Sequence, residues 1–201
     1  MLGLVFALLA APADAPTDRW TLYSGETVAT GQDVFAGEIG WPGTSFGWTH
    51  GLTDTTDGGV RFDILYAFET TTNTHFGLAL RVPLRAIAIR TGRMSLLVHA
   101  DPGLKIYTAS GTWGPVFPAG AQIGFAVNPD LRFALGLEVP MALLFSPAQF
   151  VIGTEFGFGV DYYLDPRLLV GFNTRIGPVF SSEWSGSQFG VVAQIGLGYR
   201  M

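Results

Sequence analysis

Alternation with a period of two runs through this chain to its last residue. In the terminal segment Phe189, Val191, Ala193, Ile195, Leu197, Tyr199 and Met201 hold one phase, while Gln188, Gly190, Val192, Gln194, Gly196, Gly198 and Arg200 hold the other. Successive side chains of a strand point to opposite faces. An apolar phase set against a small-and-polar one therefore marks a strand whose two faces meet different surroundings. The pattern recurs at 60–68, 76–84, 131–139 and 150–163, and helical spacing explains none of these segments. The expected fold is all-β.

A soluble sandwich also alternates, so the second phase is the better witness. A water-facing sheet is dense in Lys, Glu, Thr and Ser. Here that phase is Gly and Ala with one or two charges per strand, such as Arg132 and Glu138 or Glu155 and Asp161. Small residues suit the crowded interior of a narrow barrel and sparse charges suit a polar lumen, which leaves the large apolar phase to face lipid. Trp41, Trp48, Tyr66, Phe68, Tyr162, Tyr163, Phe180 and Tyr199 fall near strand ends, as interfacial aromatic girdles require. The mean hydropathy of +0.35 is dispersed over the chain, and no run is long enough for a spanning helix. With one lysine and a net charge of -5, the chain has no basic surface for nucleic acid. With no cysteine it has no disulfide, zinc cluster or thiol chemistry.

The first fifteen residues, MLGLVFALLAAPADA, form a short apolar run closing on Ala13-Asp14-Ala15. This fits a signal peptide cleaved after Ala15, with only the α-amino group as its positive charge. The alternative is a buried first strand or helix, which Pro12 and Pro16 disfavour. Residues 16–201 then form the barrel domain. Strands are expected at 19–30, 33–41, 44–52, 60–68, 76–89, 93–100, 104–109, 116–127, 131–145, 150–163, 168–180 and 188–201. That makes a closed antiparallel transmembrane barrel of twelve strands. It becomes ten if the first segment and the pair around Asp101–Gly103 are not separate strands. Both counts are even, as in bacterial barrels. Tight turns at Pro42-Gly43, Asp101-Pro102-Gly103, Asn128-Pro129-Asp130 and Asp165-Pro166-Arg167 are expected at the periplasmic end, with Met201. Residues 53–59, 109–116, 146–149 and 181–187 are expected at the opposite end, outside the cell. FGLALRVPL (76–84) and FALGLEVPM (133–141) echo each other, and bulges are expected at their Pro83 and Pro140.

Gln194, Gly196, Tyr199 and Met201 stand in the order polar, Gly, large apolar, terminal apolar. The segment resembles the C-terminal signature of bacterial outer-membrane β-barrel proteins, departing from it where Met201 replaces the usual Phe or Trp. The resemblance implies a bacterial outer-membrane location, contact with outer-membrane lipids, and recognition of the last strand by the barrel assembly machinery. It implies no activity.

Chemistry is sparse. His99 and Ser95 share a strand face but stand about 13 Å apart, and Asp101 next to His99 is accounted for as a turn residue before Pro102. His50 reads as a girdle residue, and His75 stands alone. The three histidines have no metal-ligand spacing. Glu155 and Asp161 are about 20 Å apart, too far for an acid–base couple. Gly153, Gly157 and Gly159 lie within a strand, so they make room in the lumen and do not form a phosphate loop. No catalytic, metal or cofactor residues are expected. The leading expectation is a structural barrel or a narrow passive pore for small solutes. The alternatives are an outer-membrane lipid-modifying enzyme and a secreted soluble barrel holding an apolar ligand. The candidate site is a set of lumen charge pairs. A hairpin across 69–75 places Asp63 opposite Arg81, and one across 164–167 places Glu155 opposite Arg175. The competing reading is four independently solvated charges. Paired, they make the lumen nearly neutral and partly filled, with at most a small, weakly selective conductance.

Overall fold

The structure is a computed structural model describing residues 20–67, 76–146, 148–183 and 186–201. The signal segment 1–15, Phe68, His75 and Trp184 lie outside the described residues. Fifteen strands follow one another: β1 (Asp33–Trp41), β2 (Gly43–Thr53), β3 (Thr56–Leu65), β4 (Gly77–Arg81), β5 (Leu84–Thr91), β6 (Met94–Ala100), β7 (Gly103–Tyr107), β8 (Thr112–Val116), β9 (Ala119–Ala126), β10 (Leu131–Val139), β11 (Met141–Leu144), β12 (Gln149–Gly153), β13 (Glu155–Asp165), β14 (Leu168–Ser181) and β15 (Gln188–Arg200). They form one antiparallel sheet. β1 pairs with β2 on one side and with β15 on the other, where Phe35 stands opposite Tyr199, so the sheet closes on itself.

Several strands are pieces of a longer passage. β3 holds one register against both β4 and β5, with Arg61 opposite Arg81 and Gly58 opposite Leu84. The same continuity joins β6 to β7, β8 to β9, β10 to β11 and β12 to β13. Counted as passages across the wall, the described residues make ten. Twelve of the segments (β3, β4, β7, β8, β11, β12, β14, β13, β10, β9, β6, β5) also make a hydrogen-bonded ring around the line of interruptions. Both even counts left open by the sequence therefore have a counterpart.

Pro83, Pro102, Pro118 and Pro140 interrupt four successive passages, and Pro178, on the unbroken β14, stands opposite the fifth interruption at Thr154. Their carbonyls accept from Gly59 (2.9 Å), Val82 (2.8 Å), Asp101 (2.8 Å), Gly153 (3.0 Å) and Thr154 (2.9 Å). Each proline completes half of a hydrogen-bonded pair and lacks the N–H for the other half. A rung is lost while the register is kept, so the bulges expected at Pro83 and Pro140 do not form. The irregularities lie instead between Gly51 and Thr53, Ile87 and Ile89, and Tyr163 and Asp165.

The two phases face as expected. Phe35, Ile39, Phe62, Leu80, Leu135, Phe156, Phe172, Ile195 and Leu197 are exposed on the outer wall, while Ala79, Leu97, Ala134 and Val192 are buried inside. Aromatic belts occupy both ends. Trp48 and His50 both reach Asp33 at 2.9 Å near the end that holds Met201. At the other end Trp41 packs edge-on against Tyr66, and Trp113 packs tilted against Phe145. Tyr163 departs from the girdle expectation: it is buried in the interior, and its hydroxyl donates to the Trp20 carbonyl.

Two expected strands are not separate wall strands. Asp101-Pro102-Gly103 is no turn, because β6 and β7 continue in line through it. That single difference reverses the ends assigned to everything before it. The Pro42-Gly43 turn lies away from Met201, and the Thr53–Thr56 turn lies at the Met201 end. The turns at 128–130 and 165–167 are at the Met201 end, and 182–183 lies opposite. The other difference is 19–30: its described part, residues 20–30, is not a strand, and residues 20–28 lie inside the barrel.

Candidate functional site: a filled, charge-lined lumen

Residues 20–28 fill the lumen at the Met201 end. Trp20, Thr21, Tyr23, Ser24, Glu26, Thr27 and Val28 are all buried. The wall supplies acceptors for the segment's main chain. Asp161 accepts from the amides of Tyr23 (2.9 Å) and Ser24 (2.7 Å), and Asp57 from that of Val28 (2.7 Å). It also supplies donors: Arg85 donates to the Thr21 carbonyl at 2.9 Å and Ser95 to that of Gly25 at 2.6 Å. A segment without sheet pairing would otherwise leave these groups unsatisfied in a closed interior. Glycines on the wall make the space. A Cβ at Gly196 would stand 2.6 Å from the Tyr23 hydroxyl, and one at Gly198 would stand 2.6 Å from the Trp20 ring.

Glu26 is the only charged residue of this segment. Its two oxygens are divided between Arg90 at 2.7 Å and Arg132 at 2.8 Å. Thr21 closes the local turn, accepting from the Glu26 amide and donating to its carbonyl, both at 2.9 Å.

Beyond the segment lies a cavity of about 150 Å³ lined by Tyr23, Glu38, Arg61, Arg81, His99, Glu138 and Arg175 among others. A second, of about 80 Å³, continues toward Lys105, Tyr107, Leu144 and Glu155. Their charges are matched. Arg61 bonds both oxygens of Glu38 (2.8 and 2.9 Å), Asp63 (2.8 Å) and Ser45 (2.7 Å). Arg81 grips Asp63 through two bonds of 2.8 Å. His99 sits between Glu138 at 3.0 Å and Asp101 at 3.9 Å, and Glu138 is 3.1 Å from Arg175.

The structure thus brings Asp63 and Arg81 into contact, but not directly across the ladder: Asp63 stands opposite Ala79, and Arg81 opposite Arg61. Glu155 is not opposite Arg175 either. Arg175 faces Gly157, and Glu155 faces Glu138, a register two residues from the expected one. In the terminal strand Gln194 is buried toward the lumen, Gly196 touches the inner segment, and Tyr199 and Met201 are exposed on the outer side. Sequence spacing missed Arg61 and Glu138 as network members and missed the inner segment altogether. The glycines of the lumen phase were the available signal, since they record what must fit beside them.

Among the described residues no group of three or more His, Asp or Glu side chains is arranged to hold a metal ion. Both ring nitrogens of His99 are directed at carboxylates, which leaves neither aimed at a nucleophile.

An ordered closed antiparallel barrel, apolar outside and charged inside, defines the class. No protein-family model and no curated protein matches the chain. Among solved structures, in-vitro folded OmpT, an outer membrane protein of Vibrio cholerae, is 14% identical over 86% of this chain and 61% of its own, with a TM-score of 0.44. This chain therefore spans less than two thirds of that protein's length. An outer membrane channel from Pseudomonas putida F1 is 9% identical over 90% of this chain and 99% of its own, with a TM-score of 0.45.

Proposed function

We propose that the chain is a bacterial outer-membrane barrel that forms a narrow solute passage, held shut by its own N-terminal segment. Residues 1–15 act as its signal peptide. Outer-membrane lipids surround the exposed apolar wall, and the assembly machinery reads Gln194, Gly196, Tyr199 and Met201. The observation that carries this reading is the buried segment 20–28, placed between one mouth of a closed barrel and a charge-lined cavity. The outer face of Ile39, Phe156 and Phe189 argues against a soluble carrier, which would expose that whole band to water. The carboxylates around His99 argue against an enzyme.

Planar-bilayer recording of the processed chain, beside a variant lacking residues 20–30, tests the proposal. The intact barrel should be nearly silent and the shortened one should conduct. A shortened barrel that folds and stays silent would leave only the structural role.

A further inference from the structure

We propose that Arg90 and Arg132 form an anion-binding site at the Met201-end mouth, that Glu26 occupies it as a built-in competitor, and that a carboxylate-bearing solute entering there displaces the N-terminal segment. The proposal rests on the reading of that segment as a closure.

The two arginines come from β5 and β10, with β6 and β9 between them. Arg90 reaches the lumen because the irregularity between Ile87 and Ile89 shifts the face of the strand end; it stands opposite Ser95, which is buried inside. Glu26 gives one oxygen to each guanidinium, at 2.7 and 2.8 Å. Two charge-assisted bonds converging from separate strands define a site for a carboxylate group, whichever molecule carries it. Arg132 is 4% exposed and Arg90 is 43% exposed, so the site has a buried floor and an open lip. The Nε of Arg132 finds no acceptor among the described residues, which leaves a donor for a further oxygen.

The other hydrogen bonds to the wall described above fall on the segment's main chain. Glu26 is the segment's one charged side chain, and both its oxygens are spent on arginines. Withdrawal of the segment would leave two arginines converging on empty space, a cost that an incoming carboxylate removes. Such a solute binds the open state and competes with the closed one, so it shifts the population toward opening.

The chain has no cysteine, so Ser24→Cys introduces a single buried reporter. Its labelling by an impermeant maleimide would be followed in the folded barrel, with heat-modifiable migration on gels as the folding check. Labelling should be slow in buffer. It should be about tenfold faster when Glu26→Gln is added, the factor expected for the loss of one charge-assisted interaction. Succinate should accelerate labelling of the Glu26 form, chloride at equal ionic strength should not, and Arg132→Gln should abolish the succinate response. If Arg132→Gln does not fold, Arg90→Gln, at the exposed lip, should weaken the succinate response, and an undiminished response there overturns the site. Labelling indifferent to Glu26→Gln, or acceleration by chloride equal to that by succinate, overturns the site. If the barrel lacking 20–30 conducts while labelling ignores succinate, the passage stands and the anion site fails. If that barrel is silent while labelling responds, the site stands and the passage fails.

Discussion

Asp63 shows how much the lumen depends on individual charges. The ladder sets Arg61 directly opposite Arg81, a like-charge pair that would repel across the sheet. Asp63 lies two residues along the same face and bonds both guanidinia, while Glu38 takes the far side of Arg61. All these groups are largely withdrawn from solvent, so removing the shared carboxylate leaves two cations facing each other. Asp63→Ala should therefore cost about 3 kcal/mol, the lower end for breaking a buried pair. Asp63→Asn should cost less, because it keeps hydrogen-bond acceptors. Urea unfolding in detergent micelles, followed by tryptophan fluorescence, measures both. Equal stability in Asp63→Ala and the parent would mean that lumen water already screens these charges.

At the scale of elements, the alternation disclosed which segments are walls and which faces meet lipid, because both follow from a strand's period of two. The register was less legible. It depends on how each hairpin closes, and an error of two residues preserves the face while changing the partner, as at Arg81 and Arg175. The inner segment was not legible as such. Its burial comes from irregular packing against wall glycines, and a short apolar-polar run imitates a strand. The row of prolines misled in a definite way: Asp101-Pro102-Gly103 has the letters of a turn, yet here it only interrupts a ladder. Pro140 tests that account. Gly153 donates to the Pro140 carbonyl at 3.0 Å with its register unbroken, so an alanine at 140 places an N–H where the returning bond of the pair belongs. The regained bond, about 1 kcal/mol, is offset by greater freedom of the unfolded chain, so overall stability should hardly move. The local signature should be clear. Hydrogen exchange of Pro140→Ala should show a protected amide at residue 140. Rapid exchange there would mean that the wall is bent away at this line and that the prolines follow a crease they do not create.

For the whole molecule, the consequential question is which mouth faces which compartment, since the Glu26 site and the inner segment lie at one end only. Residue 33 and Met201 share that end, together with the short connections at 54–55, 92–93 and 127–130. At the opposite end β3 stops at Leu65 and β14 at Ser181, and the chain resumes there at Gly77 and Gln188, so these two connections are longer. Outer-membrane barrels keep short turns on the periplasmic side and longer loops outside, so the closed mouth should face the periplasm. Three single-cysteine variants separate the orientations in a chain that has no cysteine of its own. Gly186→Cys should react with an impermeant maleimide on intact cells. Asp130→Cys and Thr55→Cys should react only after the outer membrane is breached. Thr55 is the discriminating position: sequence spacing put 53–59 outside, whereas the ladders put the Thr53–Thr56 turn beside Met201. Labelling of Thr55→Cys together with Gly186→Cys would mean that β6 and β7 turn at Asp101 after all. Labelling of Asp130→Cys and Thr55→Cys, with Gly186→Cys protected, would turn the barrel over and place the arginine site at the cell exterior.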